Sequence, residues 1–165
     1  MKLLCKFSTL AFLFLVSFSC TTDAFENEIA SIEEASLILP ETKSIETQIL
    51  ELINNHRLSK GLNALQSMAI VKSTAHSHTD YMVDNQVVSH DNFFARSNYL
   101  KTNAGAQRVS ENVAYGYTNA ESVVRAWLNS DGHRETIIGD FTYFDISAEQ
   151  DVNGKWYFTN IFIKK

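Results

Sequence analysis

The chain of 165 residues has two cysteines and a single proline. Cys5 lies in an N-terminal leader, so the exported chain keeps Cys20 alone and has no internal disulfide. Its fold must therefore be held by a core and not by covalent staples. Positive charge is also scarce: 14 Lys and Arg stand against 19 Asp and Glu, a formal net charge of −5. Removal of Lys2 and Lys6 with the leader takes away two positive charges and leaves −7. This balance excludes charge-driven binding to nucleic acid or to an anionic membrane surface. Familiar catalytic motifs are missing too. There is no Gly-x-Ser-x-Gly, no catalytic cysteine, no His-Glu-x-x-His and no phosphate-binding loop. Internal repeats and low-complexity segments are absent.

The apolar run Leu10–Val16 is too short to span a membrane and suits the core of a signal peptide behind Lys2 and Lys6. A small residue before Cys20 gives residues 1–19 the form of a bacterial lipoprotein signal, with Cys20 the lipidated first mature residue. Ser17 stands where such signals usually carry leucine, and plain secretion is the alternative. Residues 20–43 are acidic, with Asp23, Glu26, Glu28, Glu33, Glu34 and Glu41 against Lys43, and they contain Pro40. They read as a tether that holds a domain off a membrane surface, with 29–39 apolar enough for a short helix. Residues 44–165 then form one domain with a single core. The expected location is the bacterial cell envelope, with membrane contact through the lipid anchor only.

Hydrophobic spacing predicts a helix over about 45–59, with Ile45, Ile49, Leu52, Ile53 and His56 on one face. A second helix over about 67–85 carries Met68, Val71, Ala75, His78 and Met82 as its stripe. A third begins at Thr118, where Thr118-x-x-Glu121 forms a capping box, buries Val123, Val124, Trp127 and Leu128, and stops at Asp131-Gly132. Residues 93–107 read as a loop region. Residues 113–117 offer a strand, and 142–149 alternate so that Phe144, Ile146 and Ala148 share a face. Asn153-Gly154 reads as a two-residue hairpin turn leading into Trp156–Ile163, a strand apolar on both faces. Such a strand needs cover on both sides. The economical fold is α+β, a three-layer α-β-α sandwich with a small antiparallel sheet between helical layers.

Five histidines need sorting. His56 lies mid-stripe and reads as a hydrogen-bonded core histidine, His76 as solvated, and His78 as packing. His76 and His78 lie roughly 200° apart around a helix and cannot share a metal. His90 and His133 have no packing excuse, being placed in polar segments after helices. They are forty-three residues apart, which matches no local zinc spacing, so on spacing alone they read as surface residues. Glu111 is either solvated or turned into a cleft, to orient a histidine, accept a proton or ligate a cation. Ser130 close to His133 is common and weak evidence for a dyad.

Taken in order, these residues resemble the CAP superfamily, also called SCP-like, and its disulfide-free bacterial branch. Leu52-Ile-Asn-Asn-His-Arg57 with Gly61-Leu62 and Leu65 resembles the family's first helix. Ala75, His78-Thr79 and Met82 resemble its second. Ser89-His90 resembles the first cleft histidine motif, Ser110-Glu-Asn-Val-Ala114 the Gly-Glu-Asn-Ile-Ala motif, and Ala126–Arg134 the Trp-x-x-Ser-x-Gly-His-Arg block. The resemblance implies an α-β-α sandwich and a cleft where two histidines and two glutamates meet, able in some members to hold a divalent metal. His90, Glu111 and His133 fill three of those places, and Asn112 and Ser130 line the cleft. Ser130 stands where many eukaryotic members have the second glutamate, and Ser110 replaces a glycine.

The favoured functional expectation is a non-enzymatic, envelope-anchored binding module for lipid, small apolar or envelope ligands. Its cleft would hold a divalent metal such as zinc, if any, on His90 and His133. The alternative is a metal-assisted hydrolase or peptidase, with His90 and His133 on zinc and Glu111 as general base or orienter. A purely structural polar network of the same three residues is the third possibility.

Overall fold

A strand near the end of the chain, Trp156–Lys164, has apolar side chains on both faces, and the other elements are arranged to cover them. The computed structural model describes residues 40–165. The leader, Cys20 and all of the acidic stretch before Pro40 lie outside the described residues. The elements run α1 (Ser44–Ser59), β1 (Gln66–Ser67), α2 (Ala69–Asp84), α3 (Phe93–Ala104), β2 (Arg108–Tyr115), α4 (Ala120–Asn129), α5 (Asp131–Ile137), β3 (Tyr143–Gln150) and β4 (Trp156–Lys164).

The sheet order is β1-β3-β4-β2, with β4 antiparallel to both neighbours. Ile49 and Ile53 of α1, Val123, Val124 and Trp127 of α4 and Ile137 of α5 pack on Phe144, Ile146, Phe158 and Phe162. On the other face Val71 and Ala75 of α2 and Leu100 and Ala104 of α3 cover Ile161 and Ile163, while Met82 meets Val113 and Tyr157. The period of two along β4 thus feeds two separate cores, which is the expected three-layer sandwich. The sheet is mixed and not purely antiparallel, because Gln66 and Ser67 pair parallel to Tyr143 and Phe144. Ser67 was expected to open the second helix, which instead starts after Met68.

Other boundaries depart from expectation for local reasons. Residues 93–104 form a helix where a loop was expected; its buried positions are only Ser97, Leu100 and Ala104, too few for a readable stripe. The cap of α4 is Asn119, whose side chain accepts from the Ser122 amide at 2.8 Å, not Thr118. Asp131-Gly132 does not end the helical region but opens α5, after a break at the extended Ser130 (φ −101°, ψ 124°). The hairpin loop runs from Asp151 to Lys155. A two-residue type I′ turn needs positive φ at both centres, and of the pair only Gly154 has it. Asp151 Oδ1 accepts from the Asn153 and Lys155 amides and shapes this longer loop.

The buried line of α1 is Glu46, Ile49, Ile53 and Arg57, one position on from the expected stripe. His56 is therefore turned to the flank, and its buried Nε2 has no hydrogen-bond partner among the described residues, against the expected bonded core histidine. Arg57 is buried in its place. It donates to the carbonyls of Asn63, Ile137 and Gly139, two of them at the end of α5 where negative dipole charge collects.

Glu46 and Lys72 form a buried ion pair at 2.6 Å, with both side chains almost fully excluded from solvent. Past its short pairing with β1, the outer edge of β3 has free polar groups, and these two charges take them. Glu46 Oε1 accepts from the Ala148 amide and Lys72 Nζ donates to the Ile146 carbonyl, each at 2.8 Å. The Ile146 amide is taken by its neighbour's carboxylate, Asp145 Oδ1, at 3.0 Å. Side chains thus do for this edge what another strand would do.

Truncating one partner strands a buried charge. Lys72→Ala is expected to lower the unfolding free energy by about 3–5 kcal/mol in urea titrations, and a loss below about 1 kcal/mol would remove the pair's structural role. A second expectation concerns acid. Burial pushes the Asp145 carboxyl up to about 6, against the pull of the Ile146 amide and Lys72. The native state therefore holds this proton more tightly than the unfolded chain. The resulting stability is full below the ordinary aspartate range and lost as pH rises through about 6. The wild-type advantage over Asp145→Asn should shrink by up to roughly 3 kcal/mol between about pH 4 and pH 7. A difference independent of pH would contradict this.

Candidate functional site

β2 is an edge strand, so side chains alternating along it reach around the rim of the sheet. Glu111 points to the layer of α2 and α3. Ser110 and Asn112 point to the opposite side, where Ser110 Oγ meets Thr136 Oγ1 at 3.1 Å and Asn112 Nδ2 donates to the His133 carbonyl at 3.1 Å. The cleft residues expected from the sequence are thus divided by a strand.

On the Glu111 side the central contact is one that sequence reading missed. Arg96 of α3 grips the carboxylate with both prongs, Nε on Oε2 and Nη2 on Oε1, each at 2.9 Å. His90 Nδ1 donates to Oε1 at 2.8 Å, and the His78 ring lies 3.9 Å from the same oxygen. Burial alone would push the Glu111 carboxyl up, but the His90 hydrogen bond and the Arg96 guanidinium outweigh it and hold the group below its ordinary range. Glu111 is an ionised, fully engaged acceptor. With Nδ1–H directed at it, the neutral His90 ring has its lone pair at Nε2, on a side chain that is half exposed.

The segment carrying His90 is tied down on both sides. His78 Nε2 donates to the Ser89 carbonyl at 2.8 Å, and Arg96 Nη1 donates to the Asp91 carbonyl at 2.6 Å. Tyr81 adds a hydroxyl bond to Asp91 at 3.1 Å and stacks on His78. Burial holds the His78 ring below the ordinary histidine range, against the Ser89 carbonyl and Glu111, and so favours the neutral form that makes this bond. His78 is buried as expected, but its work is to hold the loop as much as to pack. Asn92, at φ +59°, turns the chain into α3.

His133 lies on α5, around the strand from Glu111, and shares no hydrogen bond with it or with His90 among the described residues. Its Nδ1 meets Ser130 Oγ at 2.8 Å. Burial lowers its pKa, and the nearby His90 lowers it further, so the two rings are close enough to feel each other's charge. Through the bond to Nδ1, Ser130 fixes the orientation of the His133 ring.

These atoms limit what the cleft can do. Both Glu111 oxygens accept hydrogen bonds from Arg96 or His90, which leaves the carboxylate little freedom to turn toward a substrate or an ion. Among the described residues, a metal there would have two imidazole nitrogens and no ready third donor, a poor fit to the three or four ligands zinc takes. Among the described residues, the three side chains whose ligand atoms do converge lie elsewhere. His76, Asp80 and Glu149 place one ligand atom each within 4.8 Å of one another, a set able to hold a divalent cation. His76, expected to be solvated, is half-buried between the two carboxylates, with Nε2 3.3 Å from Asp80 and Nδ1 3.2 Å from Glu149. The His76–Asp80 spacing of four on a helix was readable, but only the fold brings Glu149 from β3 to join it. Arg96 left no sequence signal, since its helix shows almost no apolar period.

Residues 50–162 match the family described as CAP, the cysteine-rich secretory protein family. The chain is 31% identical over 124 residues to the uncharacterised membrane protein YlbC of Bacillus subtilis (strain 168), covering 73% of this chain and 34% of that protein. It spans about a third to two fifths of the length of the curated relatives it matches. In structure it is similar to an outer surface protein of Borrelia burgdorferi, with a TM-score of 0.68 at 23% identity over 76% of this chain and 96% of the other. It is also similar to an extracellular SCP-domain protein of Bacillus anthracis str. Ames, with a TM-score of 0.65 at 26% identity over 76% and 45% of the two chains.

Proposed function

The chain belongs to the cysteine-rich secretory protein family, and from that premise we propose that it is a non-enzymatic binding domain of the bacterial cell envelope. The observation that carries this reading is the closed pairing of Glu111 with Arg96 and His90. Held by Arg96 and His90, Glu111 is poorly placed to be the general base of a hydrolase, and His90 and His133 supply two ligands where catalytic zinc takes three. The cleft has instead a rigid polar floor, with His90 held half exposed and its neighbours Val88 and Phe94 presenting apolar surface, Phe94 at 77% exposure. A polar floor beside exposed apolar side chains suits an amphiphile with a small head group and an apolar tail. An exported, lipid-anchored position at Cys20 is the companion reading. It is supported by the leader and by relatives described as membrane, outer-surface and extracellular proteins.

A medium-chain fatty acid or a short-chain phospholipid below its micelle concentration is expected to raise the melting temperature of the intact domain. At about 100 times Kd the gain is roughly 2.7 kcal/mol. Phe94→Ser and His90→Ala should both abolish the shift while the apo melting temperature stays nearly unchanged for Phe94→Ser. No shift with either ligand, or peptide or ester hydrolysis that disappears in His133→Ala, would overturn the reading. For the anchor, the mature amino terminus should show a diacylated Cys20 by mass spectrometry; an unmodified terminus would mean plain secretion.

A further inference from the structure

We propose that His76, Asp80 and Glu149 form a transition-metal site separate from the cleft, and that Lys43 competes with the metal for Glu149. The donor set is one imidazole and two carboxylates. Imidazole suits zinc, cobalt, nickel and copper, whereas magnesium and calcium prefer all-oxygen shells. His76 and Asp80 are four apart on α2 and therefore share one face, and Glu149 approaches from β3. Three protein ligands leave a fourth tetrahedral position for water. Ligand atoms around tetrahedral zinc at about 2.0 Å are ~3.3 Å apart. The trio spans 4.8 Å at most, so closure of up to about 1.5 Å is needed. Asp80, half exposed, is free to supply it by side-chain rotation.

The surroundings favour a cation. Asp80 and Glu149 bring two carboxylates to the one imidazole, His76. Without metal, the Glu149 oxygen is shared between the Lys43 ammonium at 2.5 Å and His76 Nδ1 at 3.2 Å. A divalent ion bonded to that oxygen repels the ammonium and takes its place. Lys43 is the last residue of the acidic 20–43 stretch and immediately precedes α1, where its amide is held by Glu46. Occupancy of the site therefore loosens the side-chain bond that fastens the end of this stretch to β3.

The site rests on none of the cleft residues, so its test is independent of the binding reading. Titration of the tag-free chain with Zn²⁺ by calorimetry should give one ion per chain, and Co²⁺ should give the intense visible bands of a tetrahedral centre. His76→Ala and Asp80→Asn should each weaken zinc binding by at least about tenfold. Lys43→Met should tighten it by roughly five- to tenfold. His90→Ala and His133→Ala should leave it unchanged. The proposal is overturned if His76→Ala binds zinc like wild type, if His90→Ala abolishes binding, or if cobalt shows only weak octahedral absorption. Unchanged affinity in Lys43→Met would overturn the competition and leave only a simple metal site.

Discussion

The Glu46–Lys72 pair fixes the position of α2 against β3, and much else depends on that position. Two opposite charges withdrawn from water are costly unless every remaining valence is used. Here most of them are used: the carboxylate also takes the Ala148 and Lys43 amides, and the ammonium also takes the Ile146 carbonyl. One pair thus closes a sheet edge, starts α1 and seats α2. Both histidine clusters hang from α2, His78 on one side and His76 on the other, so a shift of this helix would disturb both.

The cleft follows the same logic. Arg96 and His90 together engage both oxygens of the Glu111 carboxylate. The guanidinium and the imidazole hold the group ionised and fix its place. The period of two along β2 sends Glu111 one way and Ser110 and Asn112 the other, so the bonds that β2 makes to His90 and to the His133 carbonyl leave from opposite faces of the strand.

The parts of the fold written in apolar periodicity were legible. The doubly apolar Trp156–Ile163 run demanded cover on both faces, and the helices expected over 45–59 and 67–85 supply part of it. The polar parts were not. Glu46, Arg57 and Lys72 look like solvated helix residues until their partners, each far along the chain, are known. The helix over 93–104 has too few buried positions to register as a period, and Arg96 went unnoticed with it. The helix that carries His133 was hidden behind an Asp-Gly pair that usually ends one.

The ordered motifs by themselves determined the family and the layered architecture, because short-range patterns of apolar and special residues are local properties of the chain. Tertiary structure alone decided what each polar group is bonded to. Arg96 reaches Glu111 only when α3 lies along β2, and Glu149 reaches His76 only when β3 lies under α2. Charge pairing depends on distance through space, and that distance does not exist until the chain has folded.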